Sequence, residues 1–354
     1  MRKFPHIYLF RNVLEYVKHV NTDPEVPEQY RIKDPVTFQG TLKLHGSNTG
    51  VRWTRDDGKL QAQSKEIPLT PRGGDFKGFA AFVEEHEGDI RRLVHEILDR
   101  IANPDVVEVN LYGEWVGKGV VRKNKGSAVG QLEKKLWVLY SIIFTDSQGN
   151  ETDVSDILET LPSWEFSGAH RIFSVRVAGA WDLTIDFNDP DSVTAGETKA
   201  QQVTDSIEPE CPFGKYIGVE GRGEGIVWMP QGSFKGREDL MWKLKTPEHS
   251  QILEPKMRKE KVVDEGLELR VGDFLDQVLT EARLERGIDA LGEAGHLVEM
   301  KSTRHFLQWA AADVQRECIL ELEDAELEWE QVIKMLNARA LDFFKKEVAG
   351  SPRG

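Results

Sequence analysis

Residues 37–66 read TFQGTLKLHGSNTGVRWTRDDGKLQAQSKE, and apolar and polar side chains alternate along much of this stretch. Alternation with a period of two is typical of β-strands. Asp57 and Gly58 lie between two extended runs, and Asp-Gly is a strong signal for a two-residue hairpin turn. The stretch therefore predicts paired antiparallel strands. Lys43 ends one of them, and a tight turn that contains Gly46 follows it.

The segments after this hairpin predict a domain that mixes helices and sheets. Apolar residues recur at helical spacing over residues 76–101. Five strand-like segments follow, at residues 106–117, 135–144, 172–187, 223–230 and 239–245. Long or helical segments separate them, which favours an α+β domain of antiparallel sheets flanked by helices over regular βαβ winding.

The character of the sequence changes after Lys245. Residues 246–266 are charged and contain two prolines, which is typical of a linker. From residue 266 onward apolar residues mark three successive helical faces. We therefore predict a mixed domain at residues 1–250, a linker at 251–265 and an all-helical domain at 266–354.

The composition of the chain limits the class of protein. Its 354 residues carry a formal net charge of −14, which counts against a protein that coats nucleic acid but leaves room for a local basic groove. No stretch approaches the ~20 apolar residues of a membrane span, and the amino terminus lacks the apolar core of a secretory signal. Cys211 and Cys318 are far apart, so they indicate neither a zinc site nor a disulfide framework. We expect a cytoplasmic protein.

Two lysine-containing segments are candidates for chemistry. A turn after Lys43 would hold its amine rigidly at the mouth of a pocket, and Gly46 would let the backbone approach a ligand. Taken alone, Lys43 is better described as a surface lysine before an ordinary turn, because that combination is common. Lys243 and Lys245 share one face of a strand and repel each other, which suggests a bound anion such as phosphate. The alternative is a lysine-rich edge strand that resists aggregation.

Two glutamates directly follow a glycine. Glu114, in YGEWVG, is placed on a strand where it could bind a ribose, or it simply faces solvent. Glu224, in GEGIVW, begins a strongly apolar strand, where a carboxylate is costly to bury unless it is paired or near a metal. The alternative is a loop residue just outside the strand. The order of the segments favours the chemical interpretation of all four over the ordinary ones. Strands that carry them in this order would bring a nucleophile, two carboxylates and two cations to one pocket.

This pattern resembles the covalent nucleotidyltransferase superfamily of ATP-dependent ligases and mRNA capping enzymes. The segment KLHGSN, residues 43–48, is similar to the form found in the bacteriophage RNA ligase 2 family and the kinetoplastid RNA-editing ligases. DNA ligases and capping enzymes usually have Asp where His45 stands. The resemblance covers five motifs between about residues 40 and 246, and the helical tail resembles the phage enzymes by pattern only.

The resemblance implies an ATP-dependent RNA ligase, with roles for particular residues. Lys43 matches the lysine that carries AMP, Glu224 the glutamate near the nucleophile and Mg²⁺, and Lys243 and Lys245 the lysines that contact the α-phosphate. The other implied nucleotide contacts are Leu44, His45, Asn48, Lys65, Glu114 and Tyr140. Lys65 stands where the family usually has Arg, and Ser141 stands where the phage enzymes have Asp. The implied partners are RNA ends, as on a nicked duplex. The resemblance implies a bacterial or phage-infected cell, and it implies neither a membrane nor an obligate protein partner.

Three alternatives remain open. A DNA ligase or a GTP-using capping enzyme would share the motifs, but His45 and the helical rather than OB-like tail argue against both. A catalytically inactive nucleic-acid-binding relative would keep the fold. Lys65, Ser141 and the negative net charge favour that relative, whereas the presence of every residue expected to do chemistry opposes it. An unrelated α+β protein would need all five motifs in order by chance.

Overall fold

The computed structural model describes residues 2–72, 74–161, 171–249 and 266–350. The chain divides into two compact units, Met1–Glu248 and His249–Gly354. The predicted linker at residues 251–265 lies outside the described residues, and the predicted domain limits stay a prediction. Within the described part of the chain, no helix is both long enough and apolar enough to cross a membrane.

Strands in the first unit form two sheets. Their bounds are β1 (Tyr8–Leu9), β2 (Val36–Lys43), β3 (Ser47–Thr54), β4 (Leu60–Ser64), β5 (Val106–Val116), β6 (Leu136–Asp146), β7 (Glu151–Asp153), β8 (Ile172–Ser174), β9 (Ala180–Ile185), β10 (Gly225–Pro230) and β11 (Trp242–Lys245). The first sheet has the order β1-β11-β10-β2-β9 and is antiparallel except where β1 meets β11. The second has the order β4-β3-β5-β6-β7, with β8 parallel to β6.

Helices of the first unit cover one face of each sheet. Their bounds are α1 (Phe10–Thr22), α2 (Phe79–Glu85), α3 (Glu87–Ile101), α4 (Ile157–Thr160), α5 (Pro190–Ile207) and α6 (Pro212–Tyr216). The core of the first sheet joins apolar residues of α1 and α5 to Phe38, Trp228 and Trp242. The core of the second sheet joins α2 and α3 to Trp115 and Trp137. Each sheet therefore has one face packed against helices.

The second unit is helical throughout the residues described. Its helices are α7 (Leu267–Val278), α8 (Glu281–Glu293), α9 (Thr303–Glu317), α10 (Ile319–Asp324) and α11 (Trp329–Gly350). They share a core that includes Phe274, Phe306, Leu336 and Phe344. The α+β class, with antiparallel sheets and a carboxy-terminal helical region, is confirmed.

Several details differ from the sequence prediction. The predicted hairpin is present as β3 and β4, and Gly58 in its turn has a φ of 60°. The helix predicted over residues 76–101 is two helices, which meet at His86. The strand predicted over residues 172–187 is β8 and β9, separated by a 3₁₀ turn, Val175–Ala178. The sequence analysis predicted neither α1 nor α5, the two helices that cover the first sheet.

Candidate active site

Three neighbouring strands of the first sheet bring Lys43 and Lys245 together. Gly225, the first residue of β10, is paired with Lys43 of β2 on one side and with Lys245 of β11 on the other. Residues directly opposite each other in antiparallel strands have side chains on the same face. A Cβ atom on Gly225 would lie 2.1 Å from the backbone oxygen of Leu244, so only glycine fits between the two lysines. Lys243 lies on the same face, one row farther along, opposite Val227.

Glu224 is the acidic centre of this group. Its carboxylate is buried, and Lys43 Nζ donates a hydrogen bond to Glu224 Oε1 at 2.7 Å. Lys245 Nζ is 3.7 Å from the same oxygen, and His45 Nδ1 is 3.8 Å from Oε2. Burial opposes the charge, but Lys43, together with His45 and Lys245, holds the pKa of the Glu224 carboxyl well below its usual range. Glu224 is thus ionised among three basic side chains, and we call these four residues the charged end.

The turn after Lys43 is fixed by the second sheet. A Cβ atom on Gly46 would lie 2.4 Å from the backbone oxygen of Trp115, so only glycine fits there. The adjacent His45 ring contacts the backbone oxygen of Lys123 through Nε2 at 2.8 Å. A carbonyl oxygen only accepts, so Nε2 is the donor. This bond leaves Nδ1 facing Glu224.

A second group lies on the second sheet, and we call its three residues, Asn48, Glu114 and Tyr140, the aromatic end. Asn48 of β3 is opposite Glu114 of β5, and the Asn48 amide donates a hydrogen bond to Tyr140 Oη. The Tyr140 ring meets the Phe4 ring edge-on, with centroids 5.0 Å apart. These contacts fix the orientation of the Tyr140 ring.

A cavity beside Tyr140 is lined from the first sheet by Gln39, Thr41 and Met229, and none of the four residues of the charged end lines it. The sequence reading did not select Gln39, Thr41 or Phe4. The period of two along β2 places Gln39 and Thr41 on the same face as Lys43, so the signal was present in the sequence. The contact of Phe4 with Tyr140 joins distant parts of the chain and has no local signal.

The remaining candidate residues lie around these two groups. Lys65 directly follows β4, and its neighbour Ser64 pairs with Thr49 of β3. The Leu44 side chain is buried in the core of the first sheet, so only its backbone is available to a ligand. Ser141 is buried, and its Oγ accepts a hydrogen bond from Ser155 Oγ at 3.1 Å.

The Glu224 carboxylate at the charged end suits a metal ion that takes few of its ligands from the protein. Glu224 Oε2 is buried and has no hydrogen-bond partner among the described residues. The same residues contain no group of three or more His, Cys, Asp or Glu side chains that could hold a metal. One carboxylate fits an ion such as Mg²⁺, which keeps several waters and is held largely by phosphate oxygens.

Comparison with known proteins identifies the family. A family model described as RNA ligase matches residues 36–245. Solved structures of Naegleria gruberi RNA ligase are similar at low identity: 15% for the structure with PPi, 14% for a mutant with ATP and Mn, and 13% for a mutant with AMP and Mn, each with a TM-score of 0.40. Each alignment covers 70% of this chain and 56% of the Naegleria chain, so this chain spans little more than half the length of those proteins. No curated protein matches the sequence. The family match covers more than half of the chain, and the chain therefore belongs to the RNA ligase family.

Proposed function

We propose that this protein is an ATP-dependent RNA ligase, of the kind found in the bacteriophage RNA ligase 2 family, that joins 3′-hydroxyl and 5′-phosphate RNA ends through AMP bound to Lys43. The observation that carries the proposal is the charged end. It contains an amine, a buried ionised carboxylate and a second lysine within 3.7 Å of that carboxylate. This arrangement suits a nucleophile and the cations that a transferring phosphoryl group requires.

The first step would use these residues as follows. ATP enters with its base beside Tyr140 and its α-phosphate beside Lys43 and Lys245. Deprotonated Lys43 Nζ attacks the α-phosphorus, a P–N bond forms, and the bond to the β-phosphate oxygen breaks, which releases pyrophosphate. Lys245, with Lys243 in the next row, offsets the negative charge that develops on the phosphoryl oxygens. A bound Mg²⁺ beside Glu224 would add to this charge neutralisation.

The two later steps need RNA. The 5′-phosphate of one RNA end attacks the AMP phosphorus, and Lys43 leaves as the free amine. The 3′-hydroxyl of the other end then attacks the activated 5′-phosphate, and AMP leaves. Ends held side by side on a duplex would gain most from proximity, which favours a nicked duplex as substrate.

The organisation of the chain is part of the proposal. We assign adenylyl transfer to residues 1–250 and place a linker at residues 251–265 before the helical domain. A cytoplasmic location also stays a prediction.

Labelling with ATP tests the first step. The chain incubated with α-labelled ATP and Mg²⁺ should give a labelled band on a denaturing gel, and this label should be lost in acid, as expected of a phosphoramidate. Lys43→Ala should abolish the band because it removes the attacking nitrogen, and EDTA should remove it as well. Lys33→Ala, an exposed lysine on the segment before β2, is the control and should label normally.

Equal labelling of Lys43→Ala and the unmodified chain would reject Lys43 as the nucleophile. No labelling of the unmodified chain, with either ATP or GTP, would favour a catalytically inactive relative. Labelling by GTP alone would indicate a capping enzyme. Sealing of nicks with RNA or DNA at the 3′-hydroxyl side separates an RNA ligase from a DNA ligase.

A further inference from the structure

A strongly basic loop follows the strand that carries Glu114. Residues 117–128, which we call the basic loop, contain Lys118, Arg122, Lys123 and Lys125 and no aspartate or glutamate. The whole chain has a formal net charge of −14, so four cations without an acid in twelve residues are a local exception. Lys118, Arg122 and Lys123 are exposed, and Lys125 is half-buried.

The basic loop is held to the protein by its backbone. Ser127 N donates to Asn124 O at 2.9 Å inside the loop, and Arg222 N donates to Gly126 O at 2.8 Å. A Cβ on Gly221 would lie 2.5 Å from the backbone N and Cα of Ala128, so glycine is required for this close approach. The loop therefore presents its cations from a defined position.

That position adjoins the charged end. The backbone oxygen of Lys123 accepts the hydrogen bond from His45, whose ring lies 3.8 Å from Glu224. Arg222, which binds Gly126, is two residues before Glu224. One imidazole ring thus separates the backbone of the basic loop from the carboxylate that holds Lys43.

Two ion pairs on this surface are exposed. Lys118 Nζ is 2.7 Å from Glu133, with both side chains more than 60% exposed. Arg222 is 4.0 Å from Glu248, with both about half exposed. Exposed pairs of this kind contribute little free energy, so an incoming phosphate can replace the carboxylate at small cost.

We propose that the basic loop, together with Arg222, binds the phosphate backbone of the RNA strand whose 5′-phosphate enters the charged end. This inference rests on the proposed function, because it takes RNA as the substrate. Clustered Lys and Arg bind phosphates without reading the bases, and such contacts set the position of a strand. The terminal phosphate of the strand would lie beside His45, and the next phosphates would contact the basic loop.

Binding of labelled RNA tests the proposal. The RNA is a fluorescent nicked duplex with a 5′-phosphate at the nick, and Lys43→Ala is the background, so that no reaction consumes it. Adding Arg122→Ala and Lys123→Ala removes two phosphate contacts but keeps the backbone oxygen that binds His45. We expect affinity to fall about tenfold at low salt and the slope of log K against log salt to decrease by about 2. Lys18→Ala with Lys199→Ala, on α1 and α5, makes the same charge change and should alter neither quantity.

Equal affinity and slope for the two double variants would overturn the proposal. So would an increase in the ATP concentration needed for labelling when Arg122→Ala and Lys123→Ala are made with Lys43 intact, because the loop would then bind the triphosphate. If the double variant melts at a lower temperature, the single variants Arg122→Gln and Lys123→Gln replace it. Each should decrease the slope of log K against log salt by about 1. A chain that binds RNA through this loop yet forms no adenylate would refute the proposed catalysis and leave the loop assignment standing.

Discussion

The charged end and the aromatic end lie on different sheets and are held by different kinds of contact. The charged end comes from β2, β10, β11 and the turn after β2, and one buried carboxylate there balances three basic side chains. The aromatic end comes from β3, β5 and β6, and its contacts are an amide–hydroxyl hydrogen bond and ring edges. The difference suggests that the proposed roles of the two ends, charge handling and base recognition, are separable, and that substitutions should affect them in different ways.

The largest effect should come from removing the charge at Glu224. Glu224→Gln keeps the shape but leaves Lys43, His45 and Lys245 without their shared anion. We expect adenylate formation to slow about 100-fold or more, in the range found when one preorganised polar group is removed from an active site. The rate of label incorporation at saturating ATP measures it, and Glu220→Gln, an exposed glutamate four residues earlier, is the matched control. A near-normal rate would show that the carboxylate only supports the fold.

A comparison of Lys245 with Lys243 should sharpen the boundary of the charged end. Lys245 shares the row of Lys43 and lies near Glu224, whereas Lys243 is one row away. We expect Lys245→Ala to slow adenylate formation about 100-fold. The slowing by Lys243→Ala should be several times smaller than that, because electrostatic stabilisation weakens with distance. Single-turnover labelling of both variants provides the ranking. The reverse ranking would move the proposed α-phosphate site one row along the sheet.

The smallest effect should come from the aromatic end. Tyr140→Ala removes a stacking surface worth roughly 1–3 kcal/mol, so the KM for ATP should rise about tenfold or more while the rate at saturation changes little. Tyr140→Phe keeps the ring and loses only the hydrogen bond from Asn48, which contributes about 1 kcal/mol, so KM should rise only a few-fold. Tyr30→Ala, at an exposed tyrosine, is the control. A fall in the saturated rate with unchanged KM would contradict the separation of the two ends.

The sequence indicated which candidate residues lie together better than it indicated their contacts. Strand alternation and the order of the segments selected Lys43, Glu224 and Lys245, because a period of two fixes which side chains share a face. The sequence does not show that β2 pairs with β10, and this pairing brings Lys43 to Glu224, 181 positions away. The sequence left open whether Glu224 is buried, and the hydrogen bond of His45 to Lys123, 78 positions away, has no local signal.

The two missed helices have different explanations. In α1 the buried residues are Phe10, Val13, Val17 and Val20, a regular helical spacing that was legible in the sequence. In α5 they are Gly196, Ala200, Thr204 and Ile207, and small or polar residues give almost no hydrophobic signal. A Cβ on Gly196 would lie 2.6 Å from Ile185, so this helix uses the lack of a side chain to approach β9. Close approach of that kind is visible only in three dimensions.

The strand order of the first sheet has a consequence for biosynthesis. The strand that ends in Lys43 is made early, yet its partners β9 and β10 emerge from the ribosome more than 130 residues later, and β1 waits for β11. Pairing over such long separations is slow, and no shorter nascent chain can supply Glu224 or Lys245. An unfinished polypeptide therefore carries Lys43 without Glu224 and Lys245, so the adenylate formation that we propose has to await completion of the first unit.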